Sequence, residues 1–354
     1  MHRQSEQVLR AAVAKFDGGF SDGGIAFFPK RESTTPETTK STVHPIQDAP
    51  KVAILMCTYF GQRFLADQLD SFAAQSHSNW VLWVSDDGSK DDTQVILNQY
   101  MEKWGAERLS LQPGPAQGFV TNFLSLVCKA EVEADYYAYS DQDDIWEADK
   151  LQRSIEWLRT VPRGTPAIYC SRTRLVDCAG KEIGLSPYFR KPPSFANALM
   201  QNIGGGNTMV FNNAARELLR LAGSDVDVIT HDWWSYLVVM GCGGRVFYDP
   251  IPTVSYRQHG GNLVGSNVDF GARCARIKML WKGRFKELND QHIVALERLK
   301  PHMTDDSRAT LAEFSSARGR SLVPRAIGFK RSGIYRQTLW GDIGLMVATL
   351  FKKL

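Results

Sequence analysis

Acidic side chains follow an aromatic run near the middle of this sequence, where they could hold a cation. Asp141, Asp143 and Asp144 lie within four residues directly behind "YYAYS", with no Lys or Arg adjacent. Like charges at this spacing repel, and Mg²⁺ or Mn²⁺ usually binds one or two carboxylates together with substrate phosphates. We therefore predict that Asp141 and Asp143 hold a metal that bridges to a phosphorylated ligand. The structural alternative is that Asp143 or Asp144 caps a helix formed by "IWEADKLQRSIEWL".

A second acidic pair, Asp86 and Asp87, ends the apolar run "WVLWVS" and precedes Gly88. A carboxylate placed there can accept a hydrogen bond from the imide N–H of a uracil or thymine ring. A tight Asp-Gly turn explains the same residues without a ligand. This motif alone does not choose between the two interpretations.

Two later motifs carry groups suited to proton transfer or anion binding. In "THDWW", Asp232 could be a general base facing a pocket, or it could cap the following helix together with Thr230. In "YRQHGGN", Arg257 could hold a diphosphate, and His259 could bind metal or phosphate.

The elements that must position these groups alternate from Val52 onward. Short apolar runs such as "VAILM" and "WVLWVS" predict strands, and "RFLADQLDSFAAQ" and "TQVILNQYMEKW" predict helices between them. This alternation predicts β-α-β units and a parallel sheet, in which ligands bind beyond the carboxyl ends of the strands. The loops "CTYFGQ", "SDDGSKDD" and "SDQDD" should therefore lie side by side on one rim.

Composition predicts a globular protein and excludes several classes. Of 354 residues, 43% are hydrophobic and 23% charged, which is ordinary for a soluble domain. The six cysteines form no C-x-x-C pair, so we expect free thiols, a reducing compartment and no zinc site. The N-terminus has no signal-peptide core, and no stretch reaches the roughly 18 apolar residues of a membrane span. We expect a cytoplasmic protein.

Taken together, the motifs resemble the family-2 glycosyltransferases of the GT-A fold, and most of all the rhamnosyltransferase-like branch that builds bacterial surface polysaccharides. The segments that carry the resemblance are "CTYFGQRFLADQLDSFAAQS", "VSDDGSKDDT", "GFVTNF", "YSDQDDIWEADKL", "HDWW" and "YRQHGGN". It implies an α/β fold with a mostly parallel central sheet flanked by helices and a helical C-terminal extension. The implied division is a flexible extension at 1–50, a catalytic domain at 51–266 and a basic helical region at 267–354.

The resemblance also implies a role for each candidate residue. It implies that one group binds the donor nucleotide: Thr58, Tyr59, Asp86, Asp87, Asn122, Asp141 and Arg257. It implies that Mg²⁺ or Mn²⁺ lies at Asp141 and Asp143, with His259 beside it, and that Asp232 is the catalytic base. The sequence departs from the family by having His-Asp where many members have Glu-Asp. The Thr-rich extension has no evident counterpart.

The implied activity is inverting, metal-dependent transfer of a sugar from a nucleotide-sugar donor to a hydroxyl of a glycan or lipid-linked glycan. The first expectation is L-rhamnose from dTDP-rhamnose, and the alternative is another hexose from a UDP-sugar. Two other classes compete: a catalytically silent sugar-nucleotide-binding module, and a haloacid-dehalogenase-type phosphatase using "DQDDI". Against the phosphatase, Ile145 stands where such enzymes usually have Thr or Val.

The C-terminal quarter is basic, with 17 Lys and Arg against 7 Asp and Glu from Gly271 onward. Apolar residues there recur every three or four positions, which predicts an amphipathic helix: Tyr335, Leu339, Ile343, Val347, Leu350 and Leu354. One hypothesis is peripheral contact with the anionic inner membrane. The alternatives are a solvated basic surface, or a helix packed on the catalytic domain or in a dimer. Without a recognised motif, we expect no nucleic-acid binding.

Overall fold

The computed structural model describes residues 49–259 and 284–354. The extension predicted at 1–50 and the predicted boundary at residue 266 therefore lie almost wholly outside the described residues. Asp48–Leu354 form one compact unit.

The described residues contain nine strands in one sheet. These are β1 (Val52–Thr58), β2 (Trp80–Asp86), β3 (Leu109–Pro113), β4 (Tyr136–Ser140), β5 (Ile145–Trp146), β6 (Ala167–Val176), β7 (Glu182–Leu185), β8 (Val210–Asn212) and β9 (Arg245–Arg257). The α-helices are α1 (Leu65–Ala73), α2 (Thr93–Trp104), α3 (Phe119–Cys128), α4 (Lys150–Leu158), α5 (Phe195–Ala198), α6 (Asn213–Ala222), α7 (His231–Gly241), α8 (Arg284–Leu296), α9 (Asp305–Gly319), α10 (Leu322–Ser332) and α11 (Leu339–Leu350). Short 3₁₀ turns lie at Gly206–Thr208 and Glu297–His302.

The sheet is parallel in its first half and mixed in its second. Its order is β3-β2-β1-β4-β8-β6-β9-β5, with β7 paired to β6. Strands β1 to β4 run parallel, whereas β8 is antiparallel to both of its neighbours. All seven residues of β1 are buried, because helices cover both faces of the sheet, and this explains the unbroken apolar run "VAILM".

Strand register brings three polar loops to one edge of the sheet, as the sequence predicted. Thr58 at the end of β1 lies opposite Asp86 at the end of β2. On the other side of β1, Met56 lies opposite Ser140, the last residue of β4 and the neighbour of Asp141. The ends of three adjacent parallel strands therefore present the loops side by side.

The structure rejects the helix-cap alternative for the acidic cluster. Ile145 and Trp146 form β5, which pairs with β9, and α4 begins only at Lys150. Neither Asp143 nor Asp144 is therefore at a helix start. These carboxylates need another explanation.

The predicted C-terminal helix is real but shorter than its periodicity suggested. Residues 335–338 precede α11, and Leu354 beyond it is buried. The segment packs on the protein through polar contacts as well: Gln337 N donates to Gln201 Oε1 at 3.0 Å, and Lys191 Nζ donates to Arg336 O at 2.7 Å. Packing on the catalytic domain, one of the sequence-based alternatives, is thus present.

Two further sequence-based expectations concern the cysteines and membrane-spanning helices. Five cysteines there are free, namely Cys57, Cys128, Cys170, Cys178 and Cys242, and Cys274 lies outside them. None of the helices in these ranges combines the length and the apolar character needed to span a bilayer.

Candidate active site

The loop after β1 is fastened by its backbone to two neighbouring loops. Four consecutive N–H groups donate to side chains from the loops that follow β2 and β4. The pairs are Tyr59 N to Gln142 Oε1 (2.9 Å), Phe60 N to Ser89 Oγ (3.0 Å), Gly61 N to Thr93 Oγ1 (2.8 Å) and Gln62 N to Asp91 Oδ2 (3.2 Å). Every donor in this stretch is thus paired with a protein acceptor, and the Tyr59 side chain is 58% exposed at the rim.

Asp86 is a buried hydrogen-bond hub. Thr58 Oγ1 and Ser89 Oγ donate to its Oδ1, and Ser89 N and Gln94 Nε2 donate to its Oδ2, all at 2.5–3.0 Å. Burial opposes ionisation, but the hydrogen bonds from Ser89, Gln94 and Thr58 outweigh it and lower the pKa of Asp86. A carboxylate has about four lone-pair sites, so contact with a base would have to displace a donor. Gln94, which is exposed, is the donor best placed to leave.

Asp87 supports the loop before α3. Its two oxygens accept from Ala116 N at 2.7 Å and Gly118 N at 3.2 Å, where both residues have positive φ. Gly88 also has a φ of 90°, a left-handed conformation that favours glycine. Asp87 therefore holds the loop before α3 in place through its contacts with two backbone N–H groups.

Asn122 faces the same loop from α3 and is 1% exposed. Its Nδ2 donates to Ser85 O at 3.1 Å, while its Oδ1 has no hydrogen-bond partner among the described residues. A Cβ at Gly114 would lie 3.0 Å from this oxygen. Glycine at 114 thus leaves room for the Asn122 side chain, whose unpaired oxygen is buried, and a place near a bound donor stays a prediction.

The cluster Asp141, Asp143 and Asp144 contains carboxylates in different environments. Asp143 Oδ2 lies 2.8 Å from His259 Nε2. Asp144 is fully buried and accepts from Asn207 Nδ2 at 2.5 Å and from Arg257 N at 3.2 Å. Asp144 is therefore committed to protein donors, whereas Asp143 meets the histidine that sequence reasoning placed beside the metal.

Electrostatics make this cluster suited to a cation. Burial raises the pKa of Asp141 well above its usual range, and the charges of Asp144, Asp143 and Asp232 add to the effect. A divalent ion would remove that repulsion. In the part of the chain that the structure describes, no three His, Cys, Asp or Glu side chains are grouped to enclose a metal by themselves. This donor set fits an ion that is shared between two carboxylates and substrate phosphates.

Arg257, which the sequence predicts to hold a diphosphate, bonds to protein acceptors. The residue is 2% exposed, and its guanidinium donates to Asp143 O (3.1 Å), Cys178 O (3.0 Å) and Asp67 Oδ2 (2.8 Å). Because these bonds commit its three nitrogens to protein acceptors, Arg257 braces the acidic loop from behind. The sequence motif could not show this, since Asp67 is 190 positions away.

Asp232 lies in the first turn of α7, but Thr230 is the residue at the N-cap, where its side chain accepts from Trp233 N. Asp232 accepts from Trp233 N at 2.7 Å through Oδ1 and from Gly206 N at 3.0 Å through Oδ2. Gly206, which donates to Asp232, is followed by Asn207, which donates to Asp144, so Asp232 lies close to the acidic cluster. The neighbouring His231 stacks on Phe123, and burial lowers its pKa to about 4, so it is neutral.

Sequence reasoning missed the residues that support this site. Lys150 is fully buried, donates to Asn207 O at 2.5 Å and lies 3.8 Å from the Trp146 ring centroid. Asn207 thus joins Lys150 to Asp144, next to the Gly206 amide that binds Asp232. The triple-glycine turn "GGGN" was the available signal, but a spacing of 63 residues between Asp144 and Asn207 hides their contact.

Comparison with known proteins identifies the domain. The model of the family "Glycosyl transferase family 2" matches residues 53–216, which include the loops after β1, β2 and β4. This chain contains a family-2 glycosyltransferase domain. The glycosyltransferase family is thus the one the motifs resembled, and the phosphatase alternative is wrong.

Individual relatives of this glycosyltransferase are more distant. The dTDP-rhamnosyl transferase RfbG of Shigella flexneri is 28% identical over 64% of this chain and 78% of its own length. The glucosyltransferase WfgD of Escherichia coli, described as UDP-Glc:alpha-D-GlcNAc-diphosphoundecaprenol beta-1,3-glucosyltransferase, is 26% identical over 30% of this chain and 40% of its own. A crystal structure of GalNAc-T7 with UDP, GalNAc and Mn²⁺ aligns at a TM-score of 0.50 and 9% identity, covering 82% of this chain and 55% of that one. The predicted GT-A fold is confirmed.

Proposed function

We propose that this enzyme transfers a sugar, in the first instance L-rhamnose from dTDP-rhamnose, to a hydroxyl of a glycan or lipid-linked glycan in bacterial surface polysaccharide synthesis. The observation that carries the proposal is that Gly206 and Asn207 join Asp232 to the acidic cluster, beside the loops that follow β1 and β2. RfbG supports the rhamnosyl donor. WfgD keeps a UDP-hexose donor as the alternative.

Asp141 and Asp143 would hold Mg²⁺ or Mn²⁺, with His259 positioning Asp143 from the side. The ion would neutralise charge on the departing nucleoside diphosphate. Thr58 and Tyr59 lie at the strand end where the base would bind, and Asp86 and Asp87 fix the shape of that pocket. Arg257 fixes the acidic loop through its bond to Asp143 O.

Asp232 would take the proton from the acceptor hydroxyl. Its two hydrogen bonds, from Trp233 N and Gly206 N, hold the carboxylate in one orientation. Attack on the face opposite the leaving diphosphate inverts the anomeric centre. The transition state carries oxocarbenium character, as in glycoside hydrolysis.

The decisive experiment is transfer from dTDP-rhamnose and UDP-hexoses with Mn²⁺, in wild type and Asp232→Asn. Asparagine keeps an oxygen for the Gly206 amide but cannot accept the proton, so we expect a loss of about 10²- to 10⁴-fold in rate with donor affinity nearly unchanged. Asp227→Asn, an exposed acid just before α7, is the matched control. Full turnover in Asp232→Asn removes it from the mechanism. Donor binding by wild type without transfer or donor hydrolysis favours a silent binding module.

Peripheral contact with an anionic membrane is part of the proposal. Exposed apolar side chains cover α10 and α11: Leu322, Val323, Ile327, Leu339, Trp340, Met346 and Leu350. Lys330, Arg331 and Lys352 are exposed on the same two helices or at their ends. Apolar and basic side chains together suit an anionic bilayer surface, where a lipid-linked acceptor would be found.

Liposome flotation tests this contact. Trp340→Ser combined with Val323→Ser should reduce binding to vesicles that contain anionic lipid, and high salt should weaken wild-type binding. Val294→Ser, which changes an equally exposed residue on α8, should not. Equal flotation of all three proteins contradicts membrane docking by α10 and α11.

A further inference from the structure

Gln142 ties the acidic loop to the loop after β1 through a paired contact. Its Oε1 accepts from Tyr59 N at 2.9 Å, and its Nε2 donates to Tyr59 O at 2.9 Å. One side-chain amide thus satisfies both backbone polar groups of a single residue. A Cβ at Gly61 would lie 2.3 Å from Gln142 Oε1, so glycine at 61 is what allows the amide to enter.

The contact joins the two ends of the proposed donor site. In the chain, Gln142 stands between Asp141 and Asp143, the two carboxylates proposed to hold the cation. Tyr59 follows Thr58 at the end of β1, next to Asp86, and its ring is exposed at the base end. Motion of either loop must therefore break the amide pair or carry the other loop with it.

We propose that Gln142 couples the cation end of the site to the base end, so that a divalent cation and a nucleoside strengthen each other's binding. This rests on the proposed function. An ion fixed on Asp141 and Asp143 immobilises the residue between them, and the amide pair passes that order to Tyr59. The base then binds a loop that has already lost its freedom, which lowers the entropic cost of binding. By linkage, the nucleoside raises cation affinity by the same factor.

A nucleoside is the informative probe because it has no phosphate to touch the metal. Thymidine and uridine are titrated into the full-length protein by NMR, once with EDTA and once with saturating Mg²⁺, which avoids paramagnetic broadening. In wild type we expect the nucleoside Kd to fall about 5-fold or more when Mg²⁺ is present. Any such change must pass through protein.

Three variants separate the coupling from a general structural effect. Gln142→Ala removes the amide, and Gln142→Glu keeps its size but sets an acceptor against Tyr59 O. Gln142→Ala should bind Mg²⁺ alone with nearly wild-type affinity. Both variants should unfold at nearly the wild-type temperature and show one nucleoside Kd with or without Mg²⁺. Gln62→Ala is the control, since Gln62 Oε1 makes a similar contact to Asp92 N at 2.8 Å in the same loop but not to the acidic loop. It should keep the coupling.

The outcomes distinguish this inference from the proposed function. If wild type binds dTDP or UDP with Mg²⁺ but its nucleoside Kd ignores the ion, or if Gln142→Ala keeps the coupling, the role of Gln142 is wrong and the transferase proposal stands. If wild type binds neither cation nor nucleotide, both proposals fail. Loss of coupling in both Gln142 variants together with its retention in Gln62→Ala supports the inference.

Discussion

The two acidic motifs at neighbouring strand ends look alike in sequence and differ in the folded protein. In "SDDGS", Asp86 receives four hydrogen bonds, and its pKa is lowered despite burial. In "SDQDD", burial raises the pKa of Asp141, and the neighbouring carboxylates raise it further. The first motif is electrostatically complete without a ligand. The second carries charge repulsion that a cation would relieve.

The difference teaches that donor supply, not acid content, decides what an acidic loop can bind. Around Asp86 the chain supplies hydroxyl, amide and backbone donors within eight positions, so the loop satisfies itself. Around Asp141 the buried cations are otherwise engaged: Lys150 donates to Asn207 O, and Arg257 to backbone carbonyls and Asp67. In the proposed function a metal and a diphosphate would complete the second loop, whereas a base would have to compete for the first.

The largest expected effect comes from removing the metal. Chelation by EDTA should lower transfer by about 10²- to 10³-fold, because the leaving diphosphate loses its counter-charge, and Mn²⁺ or Mg²⁺ should restore it. Asp143→Ala should lose cation binding in a metal titration, whereas Asp86→Asn should keep it. Undiminished transfer in EDTA, or equal cation affinity in both variants, would contradict the proposed difference between the two acidic loops.

The next effect is on folding stability at the first motif. Asp86→Asn replaces one acceptor oxygen by a donor that faces Ser89 N and Gln94 Nε2, so the free energy of unfolding should fall by about 1.5–3 kcal/mol. Urea denaturation measures it. Asp92→Asn, an exposed neighbour without a side-chain cap bond, should change it by less than about 0.5 kcal/mol. An unchanged urea midpoint in Asp86→Asn would contradict the role of Asp86 as a hydrogen-bond hub.

The smallest expected effect is a gain in folding stability, whereas the two preceding changes cause losses. In EDTA, Asp141→Asn should not destabilise the protein and should raise the free energy of unfolding by about 1 kcal/mol at pH 8. A raised carboxyl pKa means that the folded state binds more protons than the unfolded state, so wild-type stability from this group is lost as pH rises through the folded pKa. The advantage of the variant should therefore shrink at pH 5. Excess Mg²⁺ should make wild type more stable than Asp141→Asn. A lower stability of Asp141→Asn than of wild type at pH 8 in EDTA would argue against repulsion among the carboxylates.

Local sequence pattern was sufficient to predict the strands and helices and the edge of the sheet where the polar loops lie. The runs "VAILM" and "WVLWVS" and the helical spacing of "TQVILNQYMEKW" predicted β1, β2 and α2 because periodicity over a few residues reports which faces are buried. Parallel connection then fixes the edge at which the loops emerge. Thr58, Asp86 and Asp141 could be placed together on that reasoning alone.

Local pattern failed where partners are distant in the chain. The cap predicted for Asp143 or Asp144 was wrong because β5 pairs with β9, more than a hundred positions away. Arg257 had a residue type suited to a diphosphate, but its acceptors are Asp67 and two carbonyls that only folding brings near. As the middle residue of the acidic motif, Gln142 had no local pattern that indicated its contact with Tyr59.

The sequence by itself determined the alternating strands and helices, the edge where the polar loops gather and the residue types needed for cation-assisted sugar transfer. Tertiary structure alone decided which carboxylates are already satisfied and which have charge left to share. The reason is physical: hydrogen bonds and desolvation act over a few ångströms, and residues such as Asp144 and Asn207 reach that distance only after the sheet has closed around them.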